Sequence, residues 1–162
     1  MSKMMRVGYG EDIHVLINGR DLMLGGIKVP SDKGEKAHSD GDVLLHALSD
    51  ALLGALSLGD IGKHFPDNLE ETKGMDSKII LDKVYKMVKE KGYHLVNADM
   101  MVILERPKIK DYILPMRESI AKVLEVDVNA ISVKAGTNEG LDAIGRGEAI
   151  KATAIVLLES DN

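Results

Sequence analysis

The 162-residue chain has no cysteine and no tryptophan, a single phenylalanine, and only 3% aromatic residues in all. Without cysteine there is no disulfide framework, no thiolate nucleophile and no sulfur-ligated zinc, so any metal has to be held by imidazole and carboxylate. No run of about 18 apolar residues occurs, and no basic-then-apolar segment opens the chain, which gives no signal for a membrane span or for secretion. The expectation is a cytoplasmic protein with no membrane partner. Positive charge is also in short supply: 21 Lys and Arg stand against 26 Asp and Glu, a net charge of -5. A nucleic-acid surface wants a basic face and stacking rings, so no nucleic-acid partner is expected. A small anionic ligand stays open if a metal or backbone donors are placed locally to hold it.

Hydrophobic residues make up 44% of the sequence, enough for one well-cored domain over 1–162 and too few for two. "MRVGYGEDIHVL" (5–16) and "LMLGGIKVP" (22–30) read as strands separated by the turn-forming "NGRD", the second broken at Gly25 and Gly26. The run 42–58, rich in Leu and Ala, is too long for a strand and reads as a buried helix. Residues 59–74 have the Gly, Pro, Asn and charge of a long surface loop. An amphipathic helix follows over 75–92, with Asp76 or Ser77 as cap, Ile80, Val84, Met87 and Val88 on one face, and Gly92 as stop. The remainder reads as a strand (94–105) ended by Pro107, a helix (112–126) and strands at 131–136 and 149–159. Strands alternating with helices predict an α+β or α/β two-layer domain with helices over one sheet face. The other face then needs a partner, since the last strand is apolar almost throughout.

Candidate chemistry begins in "GEDIHVL". Side chains two apart on a strand share a face, so Asp12 and His14 project together. The pair alone is also what a half-solvated edge strand shows. In the first helix, Asp42, His46 and Asp50 fall at i, i+4 and i+8 and form one polar stripe among Leu and Ala. Two imidazoles and one carboxylate from two elements make a three-ligand set with an open position, as in catalytic zinc. An aspartate one turn from His46 is then expected to take its other ring N–H and fix the tautomer. His38, Ser39 and Asp40 adjoin in "KAHSDGD", but sequence neighbours cannot stack as nucleophile, base and orienter, which excludes a serine-hydrolase triad there. In "VKAGTNEGLDAIGRGEA", Thr137, Asn138, Glu139 and Arg146 lie among glycines after a strand. That segment reads equally as a phosphate cradle or as a flexible connection.

The blocks "GEDIH", "AHSDGDVLLHALSDALLGAL", "GDIGKHFPD", "ERPK" and "KAGTNEGL...GRGE", in this order and at these separations, closely resemble the 2-C-methyl-D-erythritol 2,4-cyclodiphosphate synthase family over Met5 to Glu159. The resemblance implies α+β subunits with a helical layer over a four-stranded mixed sheet, packed as a homotrimer with sites between chains. It implies zinc on Asp12, His14 and His46, and magnesium or manganese on Glu139. His38 and Thr137 match the residues that stabilise the transition state, and His38 and Ser39 also contact the phosphate end. Asp60, Ile61, Gly62, Phe65, Pro66 and Asp67 match the loop holding the methylerythritol phosphate. Leu104, Glu105, Arg106, Pro107, Lys108, Ile109 and Lys110, with Ala135, match a cytidine pocket. The substrate it implies is a small diphosphocytidyl compound. Asp142 and Ala143 depart from the Gly-Phe usual in that pattern, so an aromatic-lined axial cavity is not expected. Rival readings of the same ligand set are a metallophosphoesterase, a non-heme iron oxygenase and a trimeric diphosphate-binding protein.

Overall fold

The computed structural model describes residues 2–162. Strand β1 (Met5–Asn18) alternates along its length: Gly8, Gly10, Asp12, His14 and Leu16 turn inward, while Met5, Val7, Tyr9, Glu11, Ile13 and Val15 turn out. It pairs antiparallel with β7 (Ala149–Ser160). That strand pairs antiparallel with β5 (Tyr93–Ile103), which runs parallel to β6 (Ile131–Gly136).

The resemblance implies four strands, but this mixed sheet has five. A short β4 (Lys33–Glu35) extends it by pairing with the end of β1, Leu16 opposite Glu35. Three residues including a glycine carry no readable alternation, so pattern could not reveal β4. The expected strand over 22–30 is a separate hairpin, β2 (Leu22–Leu24) and β3 (Ile27–Val29). Gly25 and Gly26 turn it at φ +62° and +81°, and two successive positive φ values are what a tight primed turn demands.

Helix α1 (Val43–Ala55) lies on β1 and β7 and under α3 (Ser77–Glu90), which explains why it is apolar on nearly every side. It stops short of the expected Leu58. Ser57 takes φ +58°, and the N–H groups of Ser57 and Leu58 donate back to the carbonyls of Gly54 and Leu53, a Schellman stop made without glycine. In α3 the expected face is present: Ile80, Val84 and Val88 are buried with Leu81 and Tyr85, and Met87 is partly covered. The Asp76 carboxylate caps it by accepting from Lys78 N, and Gly92 at φ +82° ends it. Helix α4 (Ile113–Leu124) covers β6, with Pro115 in the first turn, where no N–H is required. The loop 59–74 holds the one-turn α2 (Ile61–His64), and α5 (Asp142–Gly145) precedes β7. Helices cover one sheet face only. On the other, Met5, Val7, Ile13, Val15 and Ile155 are exposed. Among the described residues no helix is long and apolar enough to cross a membrane.

Candidate metal centre and active site

Asp12, His14 and His46 meet because α1 approaches β1 more closely than side chains would normally allow. A Cβ at Gly8 or Gly10 would fall onto the carbonyl oxygens of Ala51 and Ala47, so the two glycines let the helix rest on strand backbone. His46, one residue before Ala47, then faces Asp12, two residues after Gly10. Asp12 Oδ2 lies 2.8 Å from His14 Nε2 and 3.1 Å from His46 Nδ1. The two rings stand edge to face with centroids 5.3 Å apart. Among the described residues this is the one group of three His or carboxylate side chains whose ligand atoms, within 4.8 Å of one another, can hold a metal ion. Burial works against a charged Asp12, but hydrogen bonds from His14 and His46 outweigh it and lower the carboxyl to about 2. Burial likewise pushes His14 down, and the Asp12 carboxylate pulls it above its ordinary value on balance.

The donor chemistry fits a metal. His14 Nδ1 faces the Gly41 carbonyl at 2.9 Å, which can only accept, so Nδ1 carries the proton and Nε2 is left for ligation. The second nitrogen of His46 is also engaged, but not by an aspartate one turn away as the polar stripe predicts. Nε2 lies 2.9 Å from Ser77 Oγ and 3.3 Å from Ser39 Oγ. Asp42 instead caps α1 by accepting from Leu45 N, and accepts from Gly25 N and Gly26 N, which fixes the hairpin against the helix start. Burial pushes its carboxyl upward against the pull of those N–H groups. Asp50 accepts from Ile61 N at 2.8 Å and anchors the 60–67 loop. A shared stripe on a helix therefore proved compatible with three different jobs.

A cavity of about 640 Å³ opens over the triad, within the range of small-ligand sites. His38, Ser39, Ile61, Gly62 and the Phe65–Asp67 turn line it. Asp60 caps α2 through Lys63 N at the loop's start. His38 Nε2–H donates to the Leu69 carbonyl at 2.8 Å, leaving Nδ1 free. Leu104, Glu105, Pro107–Lys110, Ala135 and Thr137 line a separate pocket that shares no residue with the first. Arg106 and Pro107 also border a third hollow with Lys33. Glu105 orders the second segment by accepting from Asn138 N at 2.8 Å. Glu139 is exposed at φ +56°, and Arg146 pairs with Glu148 at 2.9 Å. Asp142, at φ +58°, accepts from Asn138 Nδ2 and Ile144 N and so closes the turn into α5. Asn138 lowers its carboxyl pKa.

Sequence reasoning did not reach Lys36, Asn68 or Thr72 on the first cavity's wall. It also missed Arg20, whose guanidinium donates to the carbonyls of Ala37 and Ser39 and braces the segment on both sides of His38. No spacing rule links position 20 to 37, so nothing in the pattern pointed there.

The family model described as the YgbB family matches residues 5–159. The chain belongs to the YgbB family. A 2-C-methyl-D-erythritol 2,4-cyclodiphosphate synthase of Chloroherpeton thalassium is 57% identical over 155 residues, covering 96% of this chain and 99% of the relative. Among solved structures, the bifunctional IspDF from Campylobacter jejuni superposes with a TM-score of 0.95 at 42% identity. The match covers 98% of this chain, which spans 43% of that longer protein. IspF of Plasmodium falciparum, solved as a CDP complex, gives a TM-score of 0.85 at 38% identity over 98% of this chain and 97% of its own. The α+β architecture of this YgbB chain is thus that of its structural relatives.

Proposed function

We propose that the chain converts 4-diphosphocytidyl-2-C-methyl-D-erythritol 2-phosphate to 2-C-methyl-D-erythritol 2,4-cyclodiphosphate and CMP, a phosphorus–oxygen lyase reaction in the non-mevalonate route to isoprenoid precursors. The observation that carries this reading is the Asp12–His14–His46 cluster beneath a ligand-sized cavity in a YgbB chain. An oxygen of the 2-phosphate attacks the β-phosphorus of the same molecule. The bond from that phosphorus to the oxygen bridging to the α-phosphate breaks, and CMP leaves with the electron pair. Two anionic groups must meet, so the barrier is repulsion and loss of freedom; no protein nucleophile is needed. Holding both ends of one substrate makes the attack effectively unimolecular.

Asp12, His14 and His46 suit zinc, being two imidazoles and a carboxylate without thiolate. Held by these three side chains, a metal ion would supply Lewis-acid stabilisation of phosphate charge. Glu139 offers a single exposed carboxylate, enough for magnesium or manganese when substrate phosphates and water complete the set. The free Nδ1 of His38 and the exposed hydroxyl of Thr137 are assigned to charge developing on the phosphates. Ser39 and the loop from Asp60 to Asp67 grip the methylerythritol phosphate. The segment Leu104–Lys110 with Ala135 takes cytidine, its backbone groups reading the base. Asn138 and Arg146 flank the diphosphate side. Because the two pockets share no residue, the complete site is assigned to the junction between neighbouring chains of a homotrimer. The uncovered apolar sheet face supports the same assembly.

Phosphorus NMR of the purified protein with this substrate should show cyclic diphosphate and CMP in equal amounts, with zinc found by metal analysis. His46→Ala should lose zinc and turnover together. A linear, water-derived product would make the protein a phosphoesterase and overturn the proposal.

A further inference from the structure

We infer that Ser77 and Asp40 are positioning residues for His46, a serine relay that sets which ring nitrogen faces the metal. The inference rests on reading Asp12, His14 and His46 as metal ligands. The Asp40 carboxylate accepts three hydrogen bonds, from Asp42 N at 3.1 Å, from Ser77 N at 3.0 Å and from Ser77 Oγ at 2.5 Å. A carboxylate only accepts, so the Ser77 hydroxyl proton is committed to Asp40. Ser77 Oγ can then only accept from its other neighbour, His46 Nε2, at 2.9 Å. The proton of His46 is thereby held on Nε2, which leaves Nδ1, 3.1 Å from Asp12 Oδ2, as the atom open to a metal.

Ser77 is fully buried, so water has no ready route to replace its hydroxyl. Among the described residues Ser39 Oγ is the one other partner of Nε2, longer at 3.3 Å and already accepting from Gly41 N. The Gly41 carbonyl holds the His14 proton on Nδ1, the opposite choice, so Nε2 of one ring and Nδ1 of the other converge beside the same Asp12 oxygen as the atoms open to a metal. Ser77 opens α3 and Asp40 precedes α1. The docking of one helix start on the other is therefore transmitted to a ligand, with a serine set between carboxylate and imidazole where metal sites commonly pair the two directly.

The test reads the metal and the proton, not turnover. In zinc-loaded wild-type protein, nitrogen NMR of the imidazoles should show His46 protonated at Nε2 and metal-bound at Nδ1; the reverse assignment overturns the relay without any variant. Ser77→Ala keeps the backbone N–H to Asp40 and removes only the hydroxyl. Its zinc affinity, measured by competition with a chromophoric chelator, should fall roughly 10- to 100-fold, the usual effect of losing a partner behind a ligand. Ser77→Thr should recover most of that loss. Equal affinity in wild type and Ser77→Ala at matched melting temperature overturns the relay alone. Failure of wild-type protein to bind zinc overturns the metal reading and the relay with it.

Discussion

Glu35 is fully buried in β4, and among the described residues neither carboxyl oxygen finds a hydrogen-bond partner. Backbone N–H groups of Glu35, Val43 and Met23 favour its charged form without closing a bond, while burial and the nearby Asp42 charge act more strongly and push it up to about 9. The group is neutral in the fold and ionised in the unfolded chain above its ordinary value of 4.5. Between those values the native state binds the extra proton, so stability falls as pH rises from about 4.5 to about 9 and is flat beyond. At about 1.36 kcal/mol per unit the loss is on the order of several kcal/mol. Glu35→Leu should therefore raise stability by at least about 1 kcal/mol at pH 8, with the gain shrinking toward pH 5. Urea melts across that range would sink the idea if the difference between the two proteins did not change with pH. At the substrate-facing end, Thr137→Val should leave zinc content intact while lowering kcat by roughly 2 to 4 kcal/mol of barrier, the effect of losing one preorganised donor. Unchanged turnover would remove Thr137 from the mechanism.

At the scale of elements, the placement of His46 depends on β1 and α1 touching backbone to backbone at Gly8 and Gly10. Gly10→Ala should force the helix outward, destabilise the fold by about 1 to 3 kcal/mol or more, and weaken metal binding by separating His46 from Asp12. Full zinc affinity in a normally stable Gly10→Ala protein would show that the contact is not what brings the ligands together. The same contact explains what was legible beforehand. Asp12 and His14 are readable because a strand repeats every two residues, and His46 because a histidine stands out in a Leu- and Ala-rich helix. The helices and long strands were legible for the same reason, their periods being long enough to count. The short β4 was not, nor was the roles' distribution among Asp42, Asp50 and Ser77. Periodicity gives the face a side chain occupies, whereas its partner depends on segments that meet only in the fold. Asp40 and Ser77 are 37 positions apart, and no local rule joins them.

At the scale of the whole molecule, one chain leaves two things unpartnered. Its sheet carries an outward row of Met5, Val7, Ile13, Val15 and Ile155, and the residues proposed for its site are divided between two separate pockets. A cyclic homotrimer meets both conditions if the metal wall of one chain faces the nucleotide wall of the next. Two inactive variants decide the matter: one lacking His46, and one lacking both Thr137 and Glu139, unfolded, mixed equally and refolded together. Each trimer has three junctions. With random assembly, any junction has about one chance in four of joining an intact metal wall to an intact nucleotide wall, so roughly a quarter of wild-type activity should return. If both walls of a site came from a single chain, every site would keep its own defect and mixing would restore nothing. Native mass spectrometry fixes which case applies. Hybrid trimers without activity would exclude the shared site while leaving the Asp12–His14–His46 assignment untouched, because that cluster forms within one chain.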